Sequence, residues 1–584
     1  MKLIRRILFF LFFVGFAHAV AFAQEKPSYF LHTIEKGQSL YSISTMYEVS
    51  KADIIRLNPG CDEVIICGQT LRIPQNKMKQ KDEIFHTIQA GETLYKVTTL
   101  YDVSAQAICE SNPGLSADNF RVGQVLLIPT HEVSASQVPV IISNTPANEV
   151  KSNCKDMHKV TRKETIFSIC REYNLTEGEL IAANPELKDG LKKGKFLCIP
   201  YPSPSINAAK EAERNVTPPS NSELFSKSKQ TTKTISTIKA ALILPFTQDK
   251  RMTEYYEGFL IALDSLKRSG VSIDLHVYDS GNENTSLTPI LAKNELKDMD
   301  VIFGPLHQQH IKPLSVFAKK NDIRLVIPFS SKDSEVFNNA SIYQINTPQS
   351  YLYSEVYEHF IRQFPNASVI ILQSPTVNKE KDIFIKGLKQ ELTHKSISVK
   401  TLKEDASLET LKSVLRLDKE NIFIPTSGSN ITLIKILPQL TLLVRENAEA
   451  NIHLFGYPEW QTYTRDHLDS FFELDTYFYS SFYTNNLLPA AIRFSKAYHK
   501  WYSKDMANTF PKYGMLGFDT GYFFLKGLSR YGAELENNLQ RMNLTPIQTG
   551  FKFQRVNNWG GFVNKKAFFV HYTKNFELVK LDFE

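Results

Sequence analysis

The sequence predicts a multidomain chain in which three small βααβ units precede a two-lobed α/β domain. Two observations support this fold class: a segment of roughly 45 residues occurs three times, and continuous apolar runs later alternate with helical patterns. The predicted segments are a signal peptide at 1–23, repeats at 31–75, 86–130 and 157–201, a flexible linker at 202–236 and the α/β domain at 237–584.

Each repeat contains the same succession of local signals. A short strand begins near a histidine, and in the first two copies a glycine-containing turn follows it. Ser39, Thr93 and Thr165 then occupy the position of a helix N-cap hydroxyl, and apolar residues at helical spacing come after them. A second capping hydroxyl, an Asn-Pro pair and a closing Leu-x-Ile-Pro strand complete the unit. The order strand, helix, helix, strand is therefore predicted three times.

This pattern resembles the LysM domain through Gly-[Gln/Glu]-[Ser/Thr]-Leu, Asn-Pro and Leu-x-Ile-Pro, which occur in that order in the first two copies. The resemblance implies binding of glycans that contain N-acetylglucosamine, chiefly peptidoglycan. It also implies a sugar site between the first strand-helix loop and the loop after the second helix. The implied glycan contacts are Gly37, Gln38, Ser39, Leu40, Asn58, Pro59 and Gly60 in copy one, and Gly91, Glu92, Thr93, Leu94, Asn112, Pro113 and Gly114 in copy two.

A purely structural interpretation of some of these residues stays open. Ser39, Thr93, Asn58 and Asn112 would serve capping and turns even in a repeat that binds no sugar. The third copy departs from the pattern, because Lys163 replaces the glycine of the first loop. Repetition itself favours polymer binding, since linked weak sites gain avidity when both engage one strand.

The N-terminus predicts export. A basic segment at 2–6 precedes an apolar run at 7–16, and Ala21–Ala23 forms a small-x-small cleavage signal before Gln24. No cysteine precedes Cys61, so lipid attachment is not expected. We predict a protein of the periplasm or cell envelope that is cleaved near Ala23, is not a lipoprotein and has no membrane span after cleavage.

Composition excludes several classes of protein. With 42% hydrophobic and 22% charged residues the chain is globular, and its net charge of +7 is mild for 584 residues. That charge suits an anionic wall polymer. No basic stripe with interleaved aromatic residues is present, so nucleic acid is not an expected partner.

The cysteines lie in the repeat region at Cys61, Cys67, Cys109, Cys154, Cys170 and Cys198. The first two flank one loop, and Cys154 and Cys198 stand at the two ends of the third copy. In an exported chain both pairs are candidate disulfides. Cys109 and Cys170 take helix positions and are predicted to be buried thiols. No Cys-x-x-Cys or nearby histidine pair indicates a metal site.

The C-terminal part contains runs typical of strands buried on both faces of a parallel sheet. They are AALILPF (240–246), DVIFGP (300–305), RLVIPFS (324–330), SVIILQS (368–374), NIFIPTS (421–427) and NIHLFGY (451–457). Helical patterns fill the gaps between them. The succession predicts two α/β lobes.

Small motifs in this part resemble the type I periplasmic solute-binding fold of branched-chain amino-acid-binding proteins. They are Tyr256-Glu257-Gly258, Phe303-Gly304-Pro305, Ile327–Ser331, Ile345–Pro348, Phe494–Gly532 and the sequence TGFKFQRVNNWGG near the end. The resemblance implies a ligand cleft between the lobes, at the carboxyl ends of strands. The matching cleft positions are Gly304, Pro305, Leu306, Ser330 and Ser331. The serine pair also suits a helix cap, and Asp519 and Trp559 are predicted to be structural.

No enzyme motif is present: the sequence lacks Gly-x-Ser-x-Gly, His-Glu-x-x-His and a phosphate loop, and no cofactor is indicated. The first hypothesis is an exported peptidoglycan-binding protein, not an enzyme, that anchors an interaction or regulatory module at the wall and meets wall-assembly proteins. The alternative is a wall-tethered receptor that binds a small, amino-acid-like solute between its lobes. A wall-active enzyme is a distant third. A cleft filled by its own aromatic residues would favour the first.

Overall fold

The computed structural model describes most of the chain from residue 29 onward. The described residues are 29–35, 38–62, 65, 67–75, 83–129, 154–161, 164–173, 175, 177–184, 187, 191–192, 194–200, 218–228, 235–332, 334–376, 378–486, 488–542 and 544–583. They belong to two compact units, Met1–Thr130 with Phe225–Glu584, and His131–Leu224. The predicted signal peptide lies outside the described residues.

Each repeat consists of two helices and one antiparallel pair of strands, as predicted. The first contains β1 (Tyr29–Thr33), α1 (Leu40–Met46), α2 (Lys51–Leu57) and β2 (Thr70–Pro74). The second contains β3 (Glu83–Thr87), α3 (Leu94–Tyr101), α4 (Ala105–Ser111) and β4 (Val125–Pro129). The third contains β5 (Cys154–Lys159), α5 (Ile166–Tyr173), α6 (Glu177–Ala183) and β6 (Phe196–Pro200).

The helices of the first two repeats begin directly after the hydroxyl residues that the sequence predicts as caps. Ser39 accepts a hydrogen bond from the backbone N–H of Ser42 and forms a reciprocal capping box with it. Thr93 caps α3 through the N–H of Lys96. Each such cap satisfies a backbone donor that the first helical turn leaves unpaired, and is worth about 1 kcal/mol.

The C-terminal domain is built on two mixed seven-stranded sheets. The first sheet contains β7 (Ile238–Leu244), β8 (Ile273–Asp279), β9 (Val301–Phe303), β10 (Arg324–Ile327), β11 (Ile342–Gln344), β17 (Phe553–Arg555) and β18 (Phe562–Asn564). The second contains β12 (Ala367–Gln373), β13 (Ser398–Lys403), β14 (Glu420–Pro425), β15 (Asn451–Gly456), β16 (Thr476–Ser480), β19 (Phe568–Tyr572) and β20 (Leu578–Leu581). All six predicted strands are present.

The strand order explains the two lobes. It is β17-β18-β11-β10-β9-β7-β8 in the first sheet and β13-β12-β14-β15-β16-β19-β20 in the second. Most pairs are parallel, and antiparallel pairs occur where the returning strands β17, β19 and β20 join. The chain therefore passes from lobe 1 to lobe 2 after β11, returns for β17 and β18, and crosses again before β19. This topology confirms the predicted fold class.

Helices connect the strands as the sequence pattern predicts. They are α7 (Asn221–Ser228), α8 (Lys250–Arg268), α9 (Thr288–Leu291), α10 (Gln308–Lys320), α11 (Tyr353–Gln363), α12 (Lys379–His394), α13 (Leu408–Val414), α14 (Asn430–Glu446), α15 (Thr464–Glu473), α16 (Pro489–Tyr502), α17 (Tyr513–Tyr531) and α18 (Leu535–Asn538). Helix α7 lies within the stretch predicted as a flexible linker. Among the described helices, none combines the length and the apolar character that a membrane crossing requires.

The first repeat shares a hydrophobic core with lobe 1. Buried Ile43, Ile54 and Leu71 of the repeat belong to the same cluster as Ile243 and Ile302 of the first sheet. The sequence predicts these segments as separate units along the chain. A shared core means that the repeat and the lobe stabilise each other, because apolar area removed from water contributes about 25 cal/mol per Å².

Candidate functional site

The first predicted sugar loop is fastened by its own side chains. Gln38 Oε1 accepts the backbone N–H of Glu35 at 2.9 Å and lies 2.8 Å from His32 Nε2. Ser39 caps α1, and Leu40 packs against the core shared with lobe 1. Gly37 lies outside the described residues. The structure thus gives Gln38 and Ser39 structural roles, and their contact with a glycan stays a prediction.

The second predicted sugar loop of repeats one and two is held by its asparagine. Asn58 donates from Nδ2 to the carbonyl of Arg72 and accepts the N–H of Arg72, both at 2.8 Å. Asn112 bonds the backbone of Leu127 in the same way, at 2.7 and 2.9 Å. Asn112 is fully buried, so its side chain pins β4 to α4 and is closed to solvent.

Several other predicted loop residues of copies one and two lie at the surface. Pro59, Gly60, Gly91, Thr93 and Pro113 are exposed. Gly60 and Gly91 have positive φ angles of +91° and +78°, and no atom lies within 4 Å of a Cβ built on either. Both glycines are therefore required by backbone conformation, with open space beside them.

Leu94 and Glu92 of the second repeat point inward. Leu94 is fully buried. Glu92 Oε2 accepts the N–H of Gln89 at 2.7 Å and lies 2.9 Å from His86 Nε2. Leu94 and Glu92, both predicted to contact sugar, therefore stabilise the fold of the repeat itself.

Gly114 lies against the C-terminal domain. Its N–H donates to the carbonyl of Asn558 at 2.7 Å. Asn558 also donates to the carbonyl of Val125 at 2.8 Å and accepts from Gln124 at 3.0 Å. A Cβ at Gly114 would lie 2.6 Å from Arg555 Cδ. The turn between β17 and β18 thus covers one of the predicted sugar contacts of repeat two.

Trp559, next in this turn, joins both repeats to lobe 1. Its ring centroid lies 6.0 Å from that of Tyr47 and 5.3 Å from that of Phe85. Phe85 also contacts Phe30 at 5.2 Å. Trp559 is 6% exposed, as expected of a structural residue. We refer to Phe30, Tyr47, Phe85 and Trp559 as the aromatic clamp.

A cavity of about 730 Å³ lies between repeat one and lobe 2. Gln38, Ser39 and Leu40 of the predicted sugar site line one side. The opposite side is formed by residues of α11 and α12, among them Tyr357 and Ile383. Volumes of about 300–1,000 Å³ are typical of small-ligand sites.

Each repeat carries a histidine network that the sequence analysis did not identify. In repeat one the Gln38 oxygen is an acceptor, so His32 Nε2 carries the proton and Nδ1 accepts from the Tyr47 hydroxyl at 2.8 Å. The same arrangement joins His86 to Tyr101 at 2.9 Å. Repeat three has it as well, between His158, Tyr173 and Glu164. The constant spacing of these residues in the three copies is the signal that could have predicted it.

Repeat one is expected to lose stability on acidification. Burial lowers the pKa of His32, against the opposing hydrogen bond with Gln38. As pH falls through about 6.5, the unfolded chain binds a proton that the folded repeat resists, so the free energy of unfolding decreases. Gln38→Glu would place a carboxylate beside the ring, raise this pKa and reduce the loss.

Thermal unfolding between about pH 7.5 and pH 5.5 measures this effect. Gln373→Glu, on an exposed position of lobe 2, is the matched control and should retain the wild-type acid sensitivity. Equal acid sensitivity in the Gln38→Glu and Gln373→Glu variants would contradict the assignment to His32.

Two exposed aromatic side chains were also missed by sequence reasoning. Tyr41 and Tyr95 follow the leucine of the first loop in copies one and two. They are 57% and 43% exposed. Exposed aromatic rings at equivalent repeat positions are suited to stacking on sugar rings. Their equivalent placement is the signal that identifies them.

The predicted cleft residues lie at the carboxyl ends of β9 and β10. Gly304 and Pro305 are buried and joined by a cis peptide bond, and a Cβ at Gly304 would lie 2.3 Å from the carbonyl oxygen of Ile243. Leu306, Ser330 and Ser331 are partly exposed. Ligand contact by these five residues stays a prediction.

Aromatic residues and an ion pair occupy the neighbourhood of these strand ends in lobe 1. Phe329 contacts the rings of Tyr255 at 5.1 Å and Tyr513 at 6.2 Å. Asp249 pairs with Arg251 at 2.6 Å, and this guanidinium holds the pKa of the Asp249 carboxyl below its ordinary value. The ion pair is thus partnered within lobe 1, whereas the Tyr255 hydroxyl, the Ser280 hydroxyl and His307 Nε2 are buried without a hydrogen-bond partner among the described residues.

Lobe 2 presents a buried cation at the corresponding edge, after β12 and β15. The Lys381 side chain is 3% exposed and lies 2.9 Å from Glu459 Oε1 and 3.1 Å from Gln349 Oε1. It also lies 4.1 Å from the centroid of the Tyr457 ring. Burial lowers the pKa of Lys381, and Glu459 opposes this shift. The cation is therefore fully partnered by the protein itself.

The sequence also predicts that Asp519 is a structural residue. Asp519 is buried and accepts the backbone N–H groups of Ile547, Gln548 and Thr549, each at 2.8 Å, which confirms its structural role. Burial raises its pKa to about 6.

The prediction of a Cys61–Cys67 disulfide is wrong for this structure, where both are free thiols. Cys61 is buried in the core shared with lobe 1, whereas Cys67 is exposed. In repeat three, Cys154 pairs with Pro200 and Cys198 with Met157 in the strand register, and a disulfide between these cysteines stays a prediction. Within the described residues, no group of three or more His, Cys, Asp or Glu side chains is placed to hold a metal ion.

The chain thus combines three βααβ repeats with a two-lobed α/β domain. The model of the LysM domain family matches residues 32–74, 86–129 and 158–200, so the chain contains three LysM domains. This result confirms the resemblance inferred from the repeated motifs.

Curated relatives match this LysM region. A probable N-acetylmuramoyl-L-alanine amidase, AmiB, of Haemophilus influenzae is 28% identical over 166 residues, which are 28% of this chain and 31% of that protein. The N-acetylmuramoyl-L-alanine amidase sle1 of Staphylococcus aureus is 22% identical over 194 residues, 32% of this chain and 56% of that protein. The chain thus spans less than two thirds of either relative, and the amidases match only its LysM region.

Solved structures of substrate-binding proteins are also similar to the chain. One, from Rhodospirillum rubrum, is titled a putative branched-chain amino acid ABC transporter; it is 11% identical, covers 59% of this chain and 100% of that chain, and has a TM-score of 0.43. A substrate-binding protein from Desulfitobacterium hafniense in complex with Leu is 12% identical, covers 59% and 99%, and has a TM-score of 0.36.

Proposed function

We propose that this chain is an exported peptidoglycan-binding protein whose LysM domains hold the two-lobed domain at the cell wall. The observation that carries the proposal is the presence of three LysM domains in one chain. The wall amidases that share this region support it, since their wall substrate is the polymer that the resemblance implies. We also propose that the chain is exported to the periplasm or cell envelope and that its signal peptide is cleaved near Ala23.

The two-lobed domain serves in this proposal as an interaction or regulatory platform for wall-assembly proteins. The aromatic residues at the lobe 1 edge and the partnered Lys381 at the lobe 2 edge support this role over that of a solute receptor. A receptor cleft keeps polar groups available for its ligand, whereas Asp249, Arg251 and Lys381 already have partners in the protein.

The direct test is sedimentation of the full-length mature protein with insoluble peptidoglycan. Gly60→Gln combined with Gly91→Gln adds side chains to exposed loops in repeats one and two, where a Cβ meets no atom within 4 Å. We expect the retained fraction to fall several-fold, because the added side chains occupy space beside the implied sugar contacts and strain positive-φ positions by about 1–2 kcal/mol each.

Gly270→Gln is the matched control, since Gly270 also has a positive φ (+88°) and open space, but lies at the end of α8 in lobe 1. It carries the same local strain and should sediment like the wild type. Equal retention of the double variant and the control would exclude these loops as the sugar site. Absence of wild-type sedimentation would overturn the proposed function.

A further inference from the structure

Two surfaces bound the cavity between repeat one and lobe 2, and only one of them belongs to a LysM repeat. On the repeat side are the turn residues Gln38 to Leu40. On the lobe side are helices α11 and α12, which lie more than 300 positions later in the chain. A ligand that reaches the turn of repeat one in this structure therefore also meets lobe 2.

The lobe 2 wall is shaped by a glycine inside a helix. Gly387 lies in the middle of α12, where glycine costs about 0.5–1 kcal/mol relative to alanine. A Cβ at this position would lie 2.5 Å from the hydroxyl oxygen of Tyr357. The glycine therefore allows the Tyr357 ring to lie across α12, and both residues line the cavity.

An unpartnered hydroxyl lies in the same wall. Ser354 is 8% exposed, and its Oγ is buried without a hydrogen-bond partner among the described residues. Buried polar groups without partners cost about 1–3 kcal/mol and usually mark a place for water or a ligand. Ile383, one turn of α12 from Gly387, is 58% exposed and supplies an apolar surface beside it.

Charges of both signs surround the cavity. Glu35 and Asp62 line the repeat side, and Lys386, Lys389 and Glu391 line the lobe side. Lys386 pairs with Asp382 at 3.0 Å, and Lys389 donates to Thr401 at 3.0 Å. Both lysines therefore have partners, and a cavity with carboxylates on both sides suits an uncharged ligand, rather than an anion, that has both apolar and hydroxyl or amide surfaces.

We propose that lobe 2 completes the sugar site of repeat one, so that a segment of N-acetylated sugars is held between the Gln38–Leu40 turn and the face of α11 and α12. Ile383 and Tyr357 provide the apolar contact, and Ser354 provides a hydrogen bond to a hydroxyl or amide group. The inference rests on the proposed function, in which the repeats bind such glycans. Its consequence is that the C-terminal domain takes part in glycan recognition.

The test uses the full-length protein and the soluble pentamer of N-acetylglucosamine. Cys67 is an exposed free thiol that lines the cavity, so its alkylation by iodoacetamide reports on occupancy at this place. Ile383→Arg fills the lobe 2 side of the cavity. Ile434→Arg is the matched control, because Ile434 is equally exposed (58%) on α14 and is not among the residues that line the cavity.

We expect the pentamer to slow alkylation of Cys67 about fivefold or more in the wild type and in Ile434→Arg, and less than about twofold in Ile383→Arg; differences of this size correspond to roughly 1 kcal/mol. Ile383→Ala, which adds no charge or bulk, should give an intermediate result. Equal protection in all variants would overturn the inference.

Sedimentation with peptidoglycan in parallel separates this inference from the proposed function. Retention of the wild type on peptidoglycan without protection of Cys67 would overturn the composite site and leave the proposed function standing. Failure of the wild type both to sediment and to protect Cys67 would overturn the two together.

Discussion

Replacement of Trp559 by alanine is expected to release the first two repeats from lobe 1. The Trp559 ring is 6% exposed and contacts Tyr47 and Phe85, so the substitution opens a cavity in the core that joins the repeats to the first sheet. Truncation of a buried aromatic residue of this size costs about 3–5 kcal/mol. This loss removes much of the stability of the junction between repeats and lobe.

Limited proteolysis of the full-length protein measures the release, since undocking exposes backbone of the first two repeats that the junction with lobe 1 buries. Trp501→Ala is the control, because Trp501 is 47% exposed on α16. We expect rapid cleavage and a lower first unfolding transition only in Trp559→Ala. Matching cleavage rates in the two variants would show that the aromatic clamp does not hold the repeats.

The Trp559→Ala variant also tests the proposed glycan site between repeat one and lobe 2. Undocking moves the Gln38–Leu40 turn of repeat one away from α11 and α12. Protection of Cys67 by the N-acetylglucosamine pentamer should therefore be lost. Sedimentation with peptidoglycan should persist, because each repeat keeps its own helices and caps.

Replacement of Gly258 by valine is expected to separate two central helices of lobe 1. A Cβ on Gly258 of α8 would lie 1.8 Å from the carbonyl oxygen of Gly514 on α17. Gly517 makes the reciprocal contact, since its Cβ would lie 1.9 Å from the carbonyl oxygen of Tyr255. Both atoms belong to helix backbones, so the helices themselves have to move apart. We expect a loss of about 3 kcal/mol or more in the free energy of unfolding.

Thermal unfolding measures this loss, and Ser265→Val is its control on an exposed position of the same helix. The control also introduces a β-branched residue, so it reproduces the small change in helix propensity. A melting temperature for Gly258→Val equal to that of the control would mean that α8 and α17 tolerate a wider separation.

The local structure of the repeats could be predicted because its signals are local. N-cap hydroxyls such as Ser39 and Thr93, helical periodicity and the closing Leu-x-Ile-Pro strand all act within about ten residues of the element that they define. The structure confirms these elements. The roles of Asn58 and Asn112 were also open to prediction as turn residues, although the partners of their side chains were not.

The residues predicted to contact sugar differ from one another in burial and in what covers them. Leu94 and Asn112 are buried, Gly114 is covered by Asn558, and Gly60 and Gly91 remain exposed. A motif specifies residue types that a family shares, and it does not specify what another domain of the same chain places beside them. For this reason the cavity at repeat one was not predictable.

By itself, the sequence determined the three βααβ units, the two α/β lobes and the motifs Tyr256–Gly258 and Phe494–Gly532, since periodicity and capping are properties of short segments. Only the tertiary structure decided that these two motifs pack together, and that the turn at Asn558 and Trp559 holds the repeats. Gln124 and Asn558 are 434 positions apart in the chain. Contacts over such a separation depend on which folded surfaces are complementary in shape, and no local pattern in the sequence records that complementarity.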